Sequence, residues 1–144
     1  MNHRRLFSSI AMLLCLSLSI MAKAPKYVFY FIGDGMGLNQ VVATQYYLRS
    51  CQDELGIIPL CFTQFPYTGI ATSYSASSDV TDSAAGGTAL ATGHKTNNGM
   101  IATSPDGQPL ETLSEYAKSK GMKTGTSVVC RVCDATPAVF STHH

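Results

Sequence analysis

Lys26-Tyr27-Val28-Phe29-Tyr30-Phe31-Ile32 runs directly into Gly33-Asp34-Gly35-Met36-Gly37. After Lys26 the run is entirely aromatic or aliphatic. A short continuous apolar run of this kind suits a strand buried on both faces, as in a parallel sheet. The glycines then break it and leave a carboxylate, Asp34, at its carboxyl end. In an open α/β sheet ligands bind in the crevice beyond those ends, so the same stretch nominates both the fold class and the first functional residue.

The rest of the chain alternates in the same way. Residues 38–49 read as a helix, with Leu38, Val41, Val42, Gln45 and Leu48 near one face. Residues 50–66 are irregular. Residues 67–75, rich in Thr, Ile and Tyr, read as a strand, and 75–79 as a loop. The Ala-rich stretch 83–92 reads as a helix capped by Asp82 or Thr81 and ended near Gly93. Ser104-Pro105-Asp106-Gly107 is a turn. Residues 110–120 read as a helix with Leu110, Leu113, Tyr116 and Ala117 on one face and Gly121 at its end. Residues 123–129 are a second buried-type strand. Thr136-Pro137 reads as an N-cap followed by proline in the first helical position. The expected class is α/β, a mostly parallel sheet with helices on both faces. There is no internal repeat, low-complexity tract or clear linker.

The chain has 144 residues, 45% of them hydrophobic, and a formal net charge of +1. That balance gives no electrostatic footprint for nucleic acid or an acidic membrane. Any anionic substrate must be held by local groups. The amino-terminal residues read as a secretory leader rather than fold: His3, Arg4 and Arg5 form a basic head, 6–21 is apolar apart from serines, and Ala22-Lys23-Ala24 offers small residues for cleavage. Cleavage after Ala22 is favoured and after Ala24 is the later option. The apolar run is short and serine-rich for a membrane anchor, so no stable span is expected after cleavage. The product is expected to be exported, periplasmic or extracellular. A twin-arginine signal is not supported by the residues after Phe7, and Leu14 before Cys15 opposes lipidation. Cys51, Cys61, Cys130 and Cys133 remain. In an oxidising compartment they allow three pairings. Cys130-Arg131-Val132-Cys133 lacks the second pair a zinc site needs, and a structural disulfide or partly buried thiols is preferred over a redox motif.

Three junctions carry the chemistry. Asp34 is a hard oxygen ligand suited to magnesium or zinc. Ser83 opens a helix, where free amides and the macrodipole favour a phosphate, and a metal can activate its hydroxyl. Asp134-Ala135-Thr136-Pro137-Ala138 again follows a strand and opens a helix. Singly, each has a plainer reading: Gly-Asp-Gly as a tight turn, and Thr81, Asp82, Ser83, Asp134 and Thr136 as caps. Together they describe an oxygen-rich metal site beside a hydroxyl nucleophile.

These segments resemble the alkaline phosphatases. Residues 31–37 look like that family's opening metal motif, Val80-Thr81-Asp82-Ser83-Ala84-Ala85 with its continuation to Gly93 like the signature around the phosphorylated serine, and 134–138 like the magnesium motif. Their order and separations also match. The resemblance implies a phosphate monoester hydrolase with two zinc ions and one magnesium ion. In it Ser83 attacks phosphorus and becomes phosphoserine, Asp34 binds zinc and magnesium, and Thr136 binds magnesium. Asp134 serves magnesium through water, and Asp82 supports the phosphate-binding side chains. Partners implied are small phosphate monoesters, with no nucleic-acid specificity, and a homodimer as an allowed assembly of the complete enzyme. A sulfatase or phosphomutase relative is the nearest alternative, but Ser83-Ala84-Ala85-Gly86 lacks the sulfatase Pro-x-Arg pattern. A non-catalytic secreted α/β binding module is the alternative of another class.

Family members are longer and carry further Asp, Glu and His ligands and an arginine downstream. His143 and His144 are not assigned to those roles, and Cys130 and Cys133 stand where the resemblance leads one to expect Ser or Thr. The sequence therefore reads as residues 25–144 of such a catalytic domain, a fragment or truncated product. Purified 25–144 is expected to turn over phosphate esters negligibly, and vigorous metal-dependent turnover would overturn that expectation. The intact mass of the mature protein from its own source separates the cases: a mass far above this chain means a fragment, a matching mass a truncated product.

Overall fold

The computed structural model describes residues 25–53 and 55–144. The expected leader, 1–22 with cleavage as late as 24, lies outside the described residues. The chain divides into two compact units, one ending at Ile32 and one spanning Gly33 to His144. The described residues of the first unit carry no helix or strand, and Tyr27, Val28, Phe29 and Phe31 are exposed.

Among the described residues of the second unit, four α-helices and a 3-10 turn at Cys61–Gln64 are formed. Helix α1 (Leu38–Gln52) passes its expected end at Arg49 and stops at Asp53, whose backbone is left-handed. Its one buried residue is Gln45, while Leu38 and Val42 are exposed. Helix α2 (Ser83–Thr92) begins where expected. Of the two candidate caps it is Asp82 that acts, its carboxylate accepting from the Ala85 amide at 2.8 Å. Gly93, with φ 76, ends it. A left-handed residue there costs glycine nothing.

Two boundaries differ from expectation. Helix α3 is Leu113–Ser119, not 110–120. Thr112 Oγ1 accepts from the Glu115 amide at 3.2 Å, and the Glu115 carboxylate accepts from the Thr112 amide at 2.8 Å. This reciprocal capping box sets the start, and the Leu110 amide donates to Ala102 instead. Helix α4 is the single turn Ala135–Ala138, with Asp134 in the N-cap position. Thr136 is thus inside the helix, not its cap, because Asp134 and not Thr136 is the last extended residue.

The expected strands at 26–32, 67–75 and 123–129 form no ladder among the described residues, where the β-pairing is an isolated antiparallel bridge between Thr103 and Pro109 across the 104–107 turn. A strand is defined by a ladder of backbone hydrogen bonds to a neighbour, and no such ladder involves these stretches among the described residues. Ile70 and Val129 are fully exposed accordingly. No helix of the described residues is long and apolar enough to cross a membrane.

The core is made of small groups. Ala84, Ala85, Ala91, Ala102, Ala138 and Val139 are buried with Thr88, Thr96, Thr103 and Thr112. Helix α2 packs against α4 and α3. Thr88 Oγ1 accepts from the Ala102 amide at 2.8 Å and donates to the Met100 carbonyl at 3.2 Å, so its burial leaves no polar atom stranded. The last residues are clasped onto this core. Ile101 and His144 exchange backbone hydrogen bonds of 2.6 and 2.8 Å. The His143 ring lies 2.7 Å from the Ala102 carbonyl and 2.9 Å from the Glu115 carboxylate.

This clasp is protonation-dependent. The Ala102 carbonyl, then the Glu115 carboxylate, raise the His143 pKa from 6.5. The Thr112 amide, then His143, lower that of Glu115 from 4.5 to about 2. The histidine contribution is full below 6.5 and lost as pH rises through its raised value; the glutamate contribution is full above 4.5 and lost as pH falls towards 2. Urea unfolding of the chain and of His143→Ala should differ most between pH 4.5 and 6.5, the gap narrowing as pH rises through the raised His143 value and narrowing only in part as pH falls below 4.5, where the Ala102 contact persists. A difference independent of pH would contradict the linkage.

Candidate functional site

Two of the expected site residues lie within hydrogen-bond distance of a third. Ser83 Oγ donates to the Asp34 carboxylate, 3.2 Å from Oδ1 and 3.1 Å from Oδ2. Thr136 Oγ1 donates to Asp34 Oδ2 at 2.7 Å. The partners are 49 and 102 residues apart in the chain. Each is brought in by a local rule. Asp34 rides the turn that the Met36 amide closes on the Gly33 carbonyl at 3.2 Å. Ser83 is the first residue of α2, presented by the Asp82 cap. Thr136 comes from the first turn of α4. Asp34 and Ser83 are both exposed, hence open to a ligand.

The meeting depends on how closely α4 approaches α2. Gly87 sits in their interface, where a Cβ would stand 3.1 Å from Val139 Cγ2, 3.3 Å from Val139 Cγ1 and 3.6 Å from Thr136 Cα. Only a residue without a side chain admits the α4 backbone at that distance. Val139 is fully buried, so it has little room to turn away.

The two other expected site residues are engaged elsewhere. Both Asp82 oxygens accept backbone amides, Oδ1 from Ala85 at 2.8 Å and Oδ2 from Gly99 at 2.7 Å. Asp134 pairs with Arg131 Nε at 3.2 Å, an exposed contact worth about 0–1 kcal/mol. Cys51, Cys61, Cys130 and Cys133 are exposed and unpaired, so the preferred reading of a structural disulfide or partly buried thiols does not hold here. Desolvation, then the neighbouring Asp134 carboxylate, holds the Cys130 thiol above its ordinary value. A redox or metal-binding thiolate needs the opposite. His143, engaged with Ala102 and Glu115, is not part of the Asp34 cluster. What sequence reasoning missed is the 97–99 loop, Asn97-Asn98-Gly99, whose backbone and side chains bind the 80–82 segment. The Asn-Gly dipeptide was a turn signal, but nothing in it announced the partner.

The oxygens of Asp34, Thr136 and Ser83 are a hard donor set that fits magnesium. They do not compose a zinc site. Zinc favours four ligands including nitrogen or sulfur, and no group of three or more His, Cys, Asp or Glu residues is gathered for a metal among the described residues.

The sequence profile of the alkaline phosphatase family matches residues 25–144. An alkaline phosphatase of Schizosaccharomyces pombe is 39% identical over 120 residues, covering 83% of this chain and 22% of that protein. The solved cold-active alkaline phosphatase of the psychrophile Shewanella sp. superposes with a TM-score of 0.73 at 43% identity, over 78% of this chain and 28% of the other. A variant of TAB5 alkaline phosphatase, solved with Mg bound in its M3 site, gives 0.69 at 36% identity, over 78% and 30%. The described part thus superposes on a portion of the alkaline phosphatase fold, without its sheet, and the chain spans between about a fifth and a third of these relatives' lengths.

The α2–α4 contact makes neighbouring glycines behave oppositely. Gly87→Ala gains helix propensity of about 1 kcal/mol but overpacks against Val139, which costs about 1–3 kcal/mol. It should lower the unfolding midpoint. Gly86→Ala, whose Cβ would meet only Thr81 atoms at 3.4 Å, should raise it. Equal shifts in urea titrations would contradict the close-approach account.

Proposed function

This chain belongs to the alkaline phosphatase family, and on that premise we propose that it is part of an exported, metal-dependent phosphate monoester hydrolase acting through phosphoserine. The observation that carries the proposal is the convergence of the Ser83 and Thr136 hydroxyls on the Asp34 carboxylate. Ser83 is the nucleophile. Its hydroxyl proton is directed at Asp34, which leaves an oxygen lone pair for phosphorus. The new bond joins Ser83 Oγ to phosphorus in line with the departing ester oxygen, which leaves as the alcohol. Water then releases inorganic phosphate and restores the serine. The amino-terminal amides and dipole of α2 favour the phosphoryl oxygens.

Asp34 and Thr136 would hold magnesium, with Asp134 reaching it through water once freed from Arg131. Asp34 would also serve zinc, as the resemblance implies. Two zinc ions complete the family's expected set, and their remaining ligands would come from outside these residues. When bound, the ions supply Lewis-acid stabilisation of charge on the attacking and leaving oxygens. Asp82 supports the site by fixing the amide-lined helix end. The catalytic domain starts at residue 25, and its apolar stretches at 26–32, 67–75 and 123–129 become strands of a parallel sheet once paired. By itself the 25–144 piece is inactive. Substrates are small phosphate monoesters, and the complete enzyme is suited to a homodimer.

The test is acid quenching of the protein, purified as its source makes it, during turnover of a phosphate monoester, followed by mass analysis of the Ser83 peptide. The expected result is a phosphorylated peptide. Ser83→Ala should abolish it and reduce turnover by roughly a thousandfold or more, and Thr136→Ala should weaken magnesium retention about tenfold. An unlabelled wild type, or an active Ser83→Ala, would overturn the proposal.

A further inference from the structure

The segment that leads into Ser83 has no strand on either side of it among the described residues. What fixes it is the 95–100 loop lying alongside. The Asn98 side chain grips the backbone at two points: Oδ1 accepts from the Asp82 amide at 3.3 Å, and Nδ2 donates to the Val80 carbonyl at 3.0 Å. A primary amide used this way reproduces what a neighbouring strand would offer, one acceptor and one donor. The grip is reciprocal. The Asp82 carboxylate accepts from the Gly99 amide at 2.7 Å, and Ser77 Oγ accepts from the Asn98 amide at 3.0 Å. Further along, the Ala76 amide donates to the Thr96 carbonyl at 2.8 Å, and Lys95 Nζ donates to the Tyr74 carbonyl.

Asp82 is therefore held three ways, through its own amide and both carboxylate oxygens. Ser83 follows immediately, and the direction of its Oγ is inherited from the Asp82 backbone. We propose that Asn98 is a positioning residue for the nucleophile: it splints residues 80–82 so that Ser83 Oγ stays aligned with Asp34. This rests on the phosphoserine reading above. Asn98 bonds the backbone of 80–82 and neither Ser83 Oγ nor the Asp34 carboxylate, so its effect is on alignment, not on affinity for the ester. Misalignment of this order costs about ten- to a hundredfold in rate.

Asn98→Ala removes both contacts. Asn98→Asp keeps the shape and the acceptor but sets an anion against the Val80 carbonyl, and is read in place of the alanine variant if that one does not fold. Thr112→Ala, which breaks the capping box of α3, is the stability control. Each protein is made in its own source and its rate of Ser83 phosphorylation is measured by rapid quench, beside kcat, KM and melting temperature. The expected result is about ten- to a hundredfold slower labelling and lower kcat for the Asn98 variants with KM unchanged, and a control that loses melting temperature without slowing. Labelling at the wild-type rate, or a loss confined to KM, overturns the inference and leaves the phosphoserine reading intact. An unlabelled wild type overturns that reading first, and the two failures are told apart by the wild-type result.

Discussion

The distance of closest approach between α2 and α4, set at Gly87, is the constraint on which the site depends. A side chain there would meet Val139 at 3.1 Å. Without one, α4 seats its first turn beside the start of α2, and Thr136 reaches the carboxylate that Ser83 also reaches. Asp34 then gathers two hydroxyls from distant parts of the chain. Nothing in this arrangement needs a large side chain. It needs the absence of one at a single position and a carboxylate with two accepting oxygens.

The same economy runs through the packing. Alanine and threonine fill the centre, so each buried group removes little apolar area from water. Compensation comes from hydrogen bonds that leave few polar groups stranded: Thr88 to the 100–102 backbone, Thr112 to Glu115, Asp82 to Ala85 and Gly99. The large apolar side chains lie outside, Phe31, Ile70 and Val129 among them. Their segments have the composition of strands but form no ladder among the described residues. Such surface is a template for pairing, in a chain that spans between about a fifth and a third of these relatives' lengths.

What could be read from sequence follows from the range of each interaction. The Asp82 cap, the Gly93 stop and the 104–107 turn are decided within a few residues, and were legible. The sequence also singled out Asp34, Ser83 and Thr136, each by its residue type at a junction, and the structure hydrogen-bonds the three side chains together. The start of α3 was misplaced because Leu110 continues the apolar pattern while Thr112 and Glu115 decide the cap. The start of α4 was misplaced because proline marks early helix positions without saying which. The strands were read from composition, but pairing needs neighbours that composition cannot supply. The roles of Gly87 and Asn98 were invisible, since a glycine among alanines and an asparagine in a turn acquire meaning only from what lies opposite. Asp134 matched a motif, yet here its nearest charge is Arg131.

The sequence distances within the site also order events in time. The Asn98 splint closes a loop of 16 to 18 residues, and Thr88 joins residues 12 to 14 further on. The Thr136 bond to Asp34 closes one of 102. Short closures cost less chain entropy and form earlier. The helix end that presents Ser83 can thus be shaped while the chain is still emerging from the ribosome, whereas the carboxylate made first must wait for the hydroxyl made last. A nascent chain can therefore order the start of α2 early, while the contact between Thr136 and Asp34 forms only when synthesis has passed residue 136.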